Sequence, residues 1–168
     1  LTGDTAFVGA TGTATGGGVY RFERNAGNWA EAQKLTATDA QSGDLFGLAL
    51  SADAEVLIVG APYKASETGA AYIFRKGTTD WDQERKLLAS NGAPGDRFGS
   101  QVAIFGDTAL VGSPLKNAGA TQSGSAYVFA HNTGNWNEQS PILEPAVPKG
   151  FANYGGAVAI SGDTLVVG

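Results

Sequence analysis

The sequence predicts an all-β protein assembled from repeated units of four short antiparallel strands, and three observations support this fold class. The phrase FGLALSADAEVLIVGAP at 46–62 returns as FGSQVAIFGDTALVGSP at 98–114, and as YGGAVAISGDTLVVG at 154–168. Twenty-five glycines without a three-residue period indicate frequent tight turns. Helical spacing is not sustained anywhere. Four strands in about 50 residues is the size of one β-propeller blade, so we expect about three blades.

Independent anchors give the length of the repeat. The recurring tryptophans are separated by 52 and 55 residues, at Trp29, Trp81 and Trp136. The recurring aromatic–glycine pairs are separated by 52 and 56 residues, and they begin at Phe46, Phe98 and Tyr154. Length variation is confined mainly to one loop, as expected for stacked structural units. We therefore predict one domain over 1–168, with blade units near 1–40 (partial), 41–92, 93–148 and 149–168 (partial).

The four strands of a unit are clearest in the third repeat. The first is predicted over 98–105 and the second over the apolar run 109–112, which suits a strand buried on both faces. The third covers 125–130, and the fourth begins at Trp136 and runs through Ile142 and Leu143 near the outer edge. Alternation along the third strands predicts six buried aromatic residues: Tyr20, Phe22, Tyr72, Phe74, Tyr127 and Phe129.

The repeated motif residues have a predicted structural role. The aromatic residue of each aromatic–glycine pair should be wedged between neighbouring blades, and the glycines should let the next backbone approach closely. The motif set is Phe46, Gly47, Gly60, Pro62, Phe98, Gly99, Gly112, Pro114, Tyr154, Gly155, Trp29, Trp81 and Trp136.

Composition limits the function classes. The net charge is −5 and no Lys/Arg run occurs, which disfavours nucleic-acid and anionic-membrane partners. The absence of cysteine removes disulfides and thiolate chemistry. No stretch of eighteen apolar residues exists, so membrane insertion is not expected.

Signals for catalysis are weak, and no catalytic residue is predicted. The single histidine, His131, follows a predicted strand in a polar turn and is interpreted as a surface residue with ordinary partners. No local Ser-His-Asp arrangement is present. The three tryptophans could form a sugar-stacking series, but packing across the outer edges of the blades is the favoured interpretation.

The repeats resemble the FG-GAP family. The stretches that carry the resemblance are GDLFGLALSADAEVLIVGAP, GAAYIFRKGTTDW, GDRFGSQVAIFGDTALVGSP and GSAYVFAHNTGNW. The resemblance is strongest to the bacterial branch, and it implies an integrin-α-like β-propeller on a secreted or cell-surface protein. It also implies adhesion or ligand binding more often than catalysis.

The last unit, 149–168, departs from this pattern. Its aromatic–glycine pair is Tyr154-Gly155, and Phe151 and Ala152 occupy the positions that match Gly43-Asp44 and Gly95-Asp96. The first repeat has GAT at 9–11 in place of GAP. These departures are interpreted as ordinary repeat decay.

No cofactor is predicted, and calcium is disfavoured. Integrin-type repeats often carry a D-x-D-x-D-G loop between the first two strands, whereas this chain has SADAE, FGDT or SGDT there. Such turns supply too few oxygens for a calcium ion, which takes six to eight. Asp4, Asp107 and Asp163 are interpreted as turn residues that bond their own backbone. The remaining acids, Asp39 with Asp44 and the group Asp80, Asp82 and Glu84, are interpreted as solvated edge charges.

The chain begins and ends with a predicted second strand, DTAFVG and DTLVVG. We therefore expect either a segment of a longer protein or copies that assemble, and the absence of an initial methionine also suggests a processed or partial chain. Residues 1–9 and the sheet begun at Tyr154 are expected to need a neighbour, so the isolated chain should associate.

Three function classes remain. The leading one is a non-enzymatic extracellular or cell-surface interaction module, which would bind a protein or glycan ligand. The second is a structural subunit of a surface assembly or filament. The third is a carbohydrate-binding propeller, or the propeller of a secreted hydrolase. Further repeats or neighbouring subunits are the other expected partners, and the expected location is secreted or on the surface of a bacterial cell.

Overall fold

The computed structural model describes residues 3–12 and 14–168 and is nearly all β, as predicted. Leu1 and Thr2, for which we expect a neighbour, lie outside the described residues. The strands are β1 (Thr5–Ala10), β2 (Gly18–Asn25), β3 (Asn28–Leu35), β4 (Ala49–Ala52), β5 (Val56–Ala61), β6 (Ala70–Lys76), β7 (Trp81–Leu87), β8 (Gln101–Phe105), β9 (Thr108–Ser113), β10 (Ser125–Asn132), β11 (Asn135–Glu138), β12 (Val158–Ser161) and β13 (Thr164–Val167). One short helical turn, α1 (Lys64–Glu67), lies between β5 and β6.

The strands form four antiparallel sheets that follow one another along the chain. The orders are β1-β2-β3 in the first sheet, β4-β5-β6-β7 in the second, β8-β9-β10-β11 in the third and β12-β13 in the fourth. Adjacent sheets contact each other through their inner strands, β1 with β4, β4 with β8 and β8 with β12. The four-strand unit is therefore confirmed in the second and third sheets.

Differences from the prediction are local. The first strand of the third sheet begins at Gln101, because the preceding residues form a turn. The fourth strand, β11, ends at Glu138 before Pro141, and Leu143 meets Ala126 only in an isolated bridge. His131 lies within β10 and not in the turn that follows, so that prediction was wrong.

Apolar side chains fill each space between neighbouring sheets. Tyr72, Phe74, Tyr127 and Phe129 are buried as predicted, because the preceding sheet covers their face. The prediction was wrong for Tyr20 and Phe22, which are only half-buried. Alternation places both on the face of β2 opposite to buried Val19, and Val19 is the residue that meets the second sheet. Within the described residues, no sheet lies on the Tyr20 face.

Candidate interaction surface

The aromatic residues of the motif lie between sheets. Phe46 and Phe98 are fully buried, and each contacts two rings of the third strand in its own sheet. The Phe98 ring lies edge-on at 5.3 Å from the Tyr127 ring and 6.0 Å from the Phe129 ring. Tyr154 is half-buried against the third sheet.

The motif glycines meet across the inner ends of the sheets. A Cβ added to Gly60 would lie 2.0 Å from the carbonyl oxygen of Gly99 in the next sheet. A Cβ added to Gly9 would lie at the same distance from the oxygen of Gly47, and one added to Gly112 at the same distance from that of Gly155. Only residues without a side chain fit at these positions, so the sheets approach there as closely as their backbones allow. Pro62 is buried and Pro114 half-buried, each two residues beyond its glycine.

One end of the stack carries what we call the loop face. It consists of the loops 62–69 and 114–124 together with the FG turns, defined as 41–47, 93–99 and 149–155. Parallel bridges join loop to turn across each pair of sheets, at Gly17–Phe46, Gly69–Phe98 and Gly124–Tyr154. Loops from one sheet and turns from the next therefore form one continuous surface.

The same backbone hydrogen bonds recur on this face. The N–H groups of Gly95, Arg97 and Phe98 donate to the loop carbonyls of Ser66, Glu67 and Thr68, at 3.2, 2.8 and 3.0 Å. Those of Phe151, Asn153 and Tyr154 donate to Thr121, Gln122 and Ser123, at 2.8, 3.1 and 2.9 Å. The pattern persists although the two loops differ in length, so a fixed set of hydrogen bonds holds loops of different sequence.

A buried ion pair supports each complete FG turn. Lys64 Nζ lies 2.8 Å from Asp44 Oδ2, and Lys116 Nζ lies 2.9 Å from Asp96 Oδ2. The interpretation of Asp44 as a solvated edge charge was therefore wrong. Sequence reasoning missed both lysines, although the aspartate-to-lysine spacing of 20 residues occurs in both repeats.

A tyrosine hydroxyl extends each ion pair. Tyr72 donates to Asp39 Oδ1 at 2.8 Å, and Tyr127 donates to Asn91 Oδ1 at 2.6 Å. Burial raises the pKa of Tyr72 far above its ordinary value, and the hydrogen bond to Asp39 raises it further. Burial also raises the pKa of Asp39, but hydrogen bonds from Lys86 and Tyr72 outweigh this effect, so the net pKa is lowered. Tyr72 thus stays protonated and Asp39 stays ionised, as a hydrogen bond from a hydroxyl to a carboxylate requires.

The tryptophans occupy the outer parts of the sheets. Trp81 is 3% exposed, and its ring lies 5.0 Å from the Phe7 ring of the first sheet. Trp136 is 4% exposed and donates from Nε1 to Glu84 of the second sheet at 3.3 Å. Trp81 and Trp136 therefore pack between the outer parts of the sheets, as the favoured interpretation expects. Trp29 does not pack in this way, because it is 43% exposed and contacts the Arg24 guanidinium.

The opposite end of the sheets carries the turns between first and second strands. The prediction that Asp4 and Asp107 bond their own backbone was wrong: Asp4 Oδ1 accepts from Arg24 at 2.8 Å, and Asp107 Oδ1 lies 3.2 Å from His131 Nδ1. The other imidazole nitrogen lies 3.3 Å from Glu84 Oε1 of the second sheet. Asp163 is exposed, as are Asp80 and Asp82, whereas Glu84 is half-buried.

An open cleft of about 310 Å³ lies at this end, between the second and third sheets. Its walls include Asp53, Glu55, Arg75 and Asp107. Asp53 is engaged by the N–H groups of Ala54 and Gly106, both at 2.7 Å, and Arg75 Nε donates to Glu84 at 2.7 Å. Of these contacts, the one from Gly106 to Asp53 joins the two sheets.

The described part of the chain has neither a cluster of metal-ligating side chains nor a membrane-spanning helix. No three His, Cys, Asp or Glu side chains group there in a way that could hold a metal ion. No described helix has the length and apolar character needed to cross a membrane.

Consecutive four-stranded sheets with aromatic wedges and glycine contacts define a protein built from β-propeller blades. Residues 29–74 and 81–129 each match the FG-GAP repeat, which together is more than half of the chain, so the chain belongs to the FG-GAP repeat family. A comparison with curated proteins found no significant match.

Proposed function

We propose that this chain is a non-enzymatic interaction module of a secreted or cell-surface protein, which binds a protein or glycan ligand through its loop face. One observation carries the proposal: the recurring backbone hydrogen bonds from FG turns to loops hold loops of unequal length on a constant frame. Variable loops on a rigid scaffold are the usual architecture of a binding surface. FG-GAP repeats occur in integrin-like propeller modules that often bind other molecules.

The side chains support binding over catalysis. The imidazole of His131 faces Glu84 and Asp107, and no hydroxyl nucleophile is among its hydrogen-bond partners in the described chain. The buried tyrosines are held as neutral donors to fixed acceptors. These groups stabilise the sheets and leave the loops free to vary.

The alternative of a sugar-stacking tryptophan series has less support. Trp81 and Trp136 are buried between sheets, so neither ring presents a face to a sugar. A glycan ligand remains compatible with the loop face, where backbone and polar side chains are available. A structural subunit of a surface assembly remains the second candidate.

Arrays of glycans and of extracellular protein domains test the proposal. The wild-type chain should bind a ligand, and a variant with 114–124 replaced by the sequence of 62–69 should lose it. A matched variant with Asp53→Asn at the opposite end should retain binding. Equal binding by all three chains, or binding to neither array, would contradict the proposal. So would turnover of chromogenic ester, phosphate or glycoside substrates by the wild-type chain.

A further inference from the structure

The FG turn at 149–155 differs from its two counterparts at a position of unusual backbone. Gly43 and Gly95 have φ angles of 91° and 88°, and Phe151 has a φ of 61° at the matching position. The left-handed region favours glycine, because any Cβ crowds the backbone there, and bulky residues are rarely found in it. The third turn therefore keeps the backbone of the others with a large aromatic residue in place of glycine.

The geometry of the repeats directs this side chain into solvent. A Cβ added to Gly43 or to Gly95 meets no heavy atom within 4 Å, although both belong to complete four-stranded sheets. A side chain at this position would therefore point away from the protein in both of these repeats. Phe151 is 69% exposed. Folding does not explain an aromatic residue here, since it gains little burial and occupies a disfavoured conformation.

Hydrogen bonds fix the backbone that carries this aromatic ring. Phe151 N–H donates to Thr121 O at 2.8 Å, and the Asn153 side-chain amide donates to Phe151 O at 3.3 Å. Ala152 N–H donates to Lys149 O at 3.3 Å. An exposed aromatic on a fixed backbone loses little backbone entropy when a partner covers it, and its side chain has only two χ angles to order, which is typical of the residues that contribute most to protein interfaces.

The charges around the ring indicate the chemistry of the partner. The chain has 16 acidic residues, yet the loop 114–124 and the FG turn 149–155, which the hydrogen bond from Phe151 N–H to Thr121 O joins, contain none. The acidic position of the turn is Ala152 here, where the other repeats have Asp44 and Asp96. Lys149 is exposed two residues before Phe151. An acid-free surface with one lysine suits a partner that carries carboxylates, and it suits an anionic lipid surface poorly in a chain of net charge −5.

We propose that Lys149 and Phe151 form a docking surface for a protein whose apolar pocket receives the Phe151 ring and whose carboxylate meets Lys149. This inference rests on the proposed function and names the part of the loop face that would carry it. The exposed ring would be the central anchor, and the lysine would set orientation at the rim.

A displayed library of disulfide-constrained random peptides, selected on the wild-type chain, tests this surface. Most enriched peptides should contain Asp or Glu beside apolar residues. Their binding should weaken more than about tenfold in Phe151→Gly and in Lys149→Glu. A Phe105→Ala variant removes an exposed aromatic at the opposite end and should bind as the wild type does. Phe151→Gly restores the residue of the other repeats, so its melting temperature should equal or exceed that of the wild type.

The outcomes separate this inference from the proposed function. Peptides that bind the loop face equally in wild type and Phe151→Gly would overturn the inference and leave the proposed function standing. A lower melting temperature in Phe151→Gly would show a structural role for the ring and would also overturn it. Phe151-dependent binding to vesicles of anionic phospholipid, or Phe151-dependent self-association in sedimentation, would replace the protein partner with a membrane or a second copy.

Discussion

Lys64 and Asp44 form an ion pair of 2.8 Å in which both side chains are only 7% exposed. The lysine also donates to the backbone oxygen of Asp39, and the Asp44 carboxylate accepts from the N–H of Gln41 at 2.7 Å. Each charge is therefore hydrogen-bonded as well as paired, which is the condition under which buried ions are tolerated. The Asp96–Lys116 pair repeats this arrangement one unit later. The pair fastens each FG turn to the loop of its own sheet.

Removing one partner of this pair should be much worse than removing both. Lys64→Met leaves the Asp44 carboxylate buried without its counter-charge, and we expect a loss of about 3–5 kcal/mol in the free energy of unfolding. Combining it with Asp44→Leu should recover a large part of that loss. Urea denaturation measures both, and Lys149→Met provides an exposed-lysine control with little effect. A double variant as unstable as Lys64→Met would contradict this account.

Tryptophans at matching positions should differ in their contribution to stability. Trp81→Ala opens a cavity between two sheets and should cost about 3–5 kcal/mol. Trp29→Ala loses only a partly exposed contact with Arg24 and should cost about 1 kcal/mol or less. Thermal or urea unfolding distinguishes the two, and equal losses would mean that Trp29 is covered in solution.

Gly60 should not accept even a methyl group. Gly60→Ala places Cβ at 2.0 Å from the Gly99 oxygen, so two sheets must separate, at a cost of about 3 kcal/mol. Gly12→Ala is the matched control, because a Cβ there meets nothing within 4 Å. The free energies of unfolding of the two variants decide the point, and a stable Gly60→Ala chain would refute the close inner contact.

Alkaline pH should weaken the fold through its buried tyrosines. Burial raises the pKa of Tyr72 and of Tyr127, and nearby carboxylates such as Asp39 and Asp96 raise them further. A group whose pKa is raised by folding stabilises the protein fully below its unfolded pKa, here about 10, and that stability is lost as the pH rises further. Each tyrosine should therefore cost about 1 kcal/mol by pH 11.

Tyr→Phe variants test this pH dependence. Stability should fall between pH 9 and 11 in the wild type and less steeply in Tyr72→Phe combined with Tyr127→Phe. A Tyr20→Phe variant, altered at a half-buried ring, is the comparison. Identical slopes in wild type and double variant would show that the two hydroxyls are not held neutral by the fold.

Repetition made much of this fold predictable from sequence. The spacing from Phe46 to Phe98 predicts the repeating unit, and alternation places Tyr72 and Phe74 on one face. Burial in such a stack depends on the neighbouring sheet as well as on the strand itself. That is why Tyr20 and Phe22, with the same pattern, are only half-buried.

The polar contacts were harder to predict, because they depend on register and on pairing over long sequence distances. Lys64 looks like an ordinary surface lysine until its constant spacing from Asp44 is compared with that of Lys116 from Asp96. Asp4 pairs with Arg24 because β1 and β2 align them, which turn propensity alone does not reveal. The sequence alone indicates repeat decay at Phe151, because neither its exposure nor its backbone conformation can be read from the repeat pattern.

Each gap between neighbouring sheets is narrow in its inner part and wide in its outer part. Near Gly60 and Gly99 nothing larger than a hydrogen atom separates the backbones, whereas the outer part of the preceding gap holds the whole indole of Trp81. Each gap is therefore tapered, and tapered gaps require every sheet to rotate by a similar angle relative to the one before it. The difference in side-chain volume between the inner and outer positions therefore sets the curvature of the stack. A smaller residue at the outer position would flatten the arc, and a side chain at the inner glycine would open it.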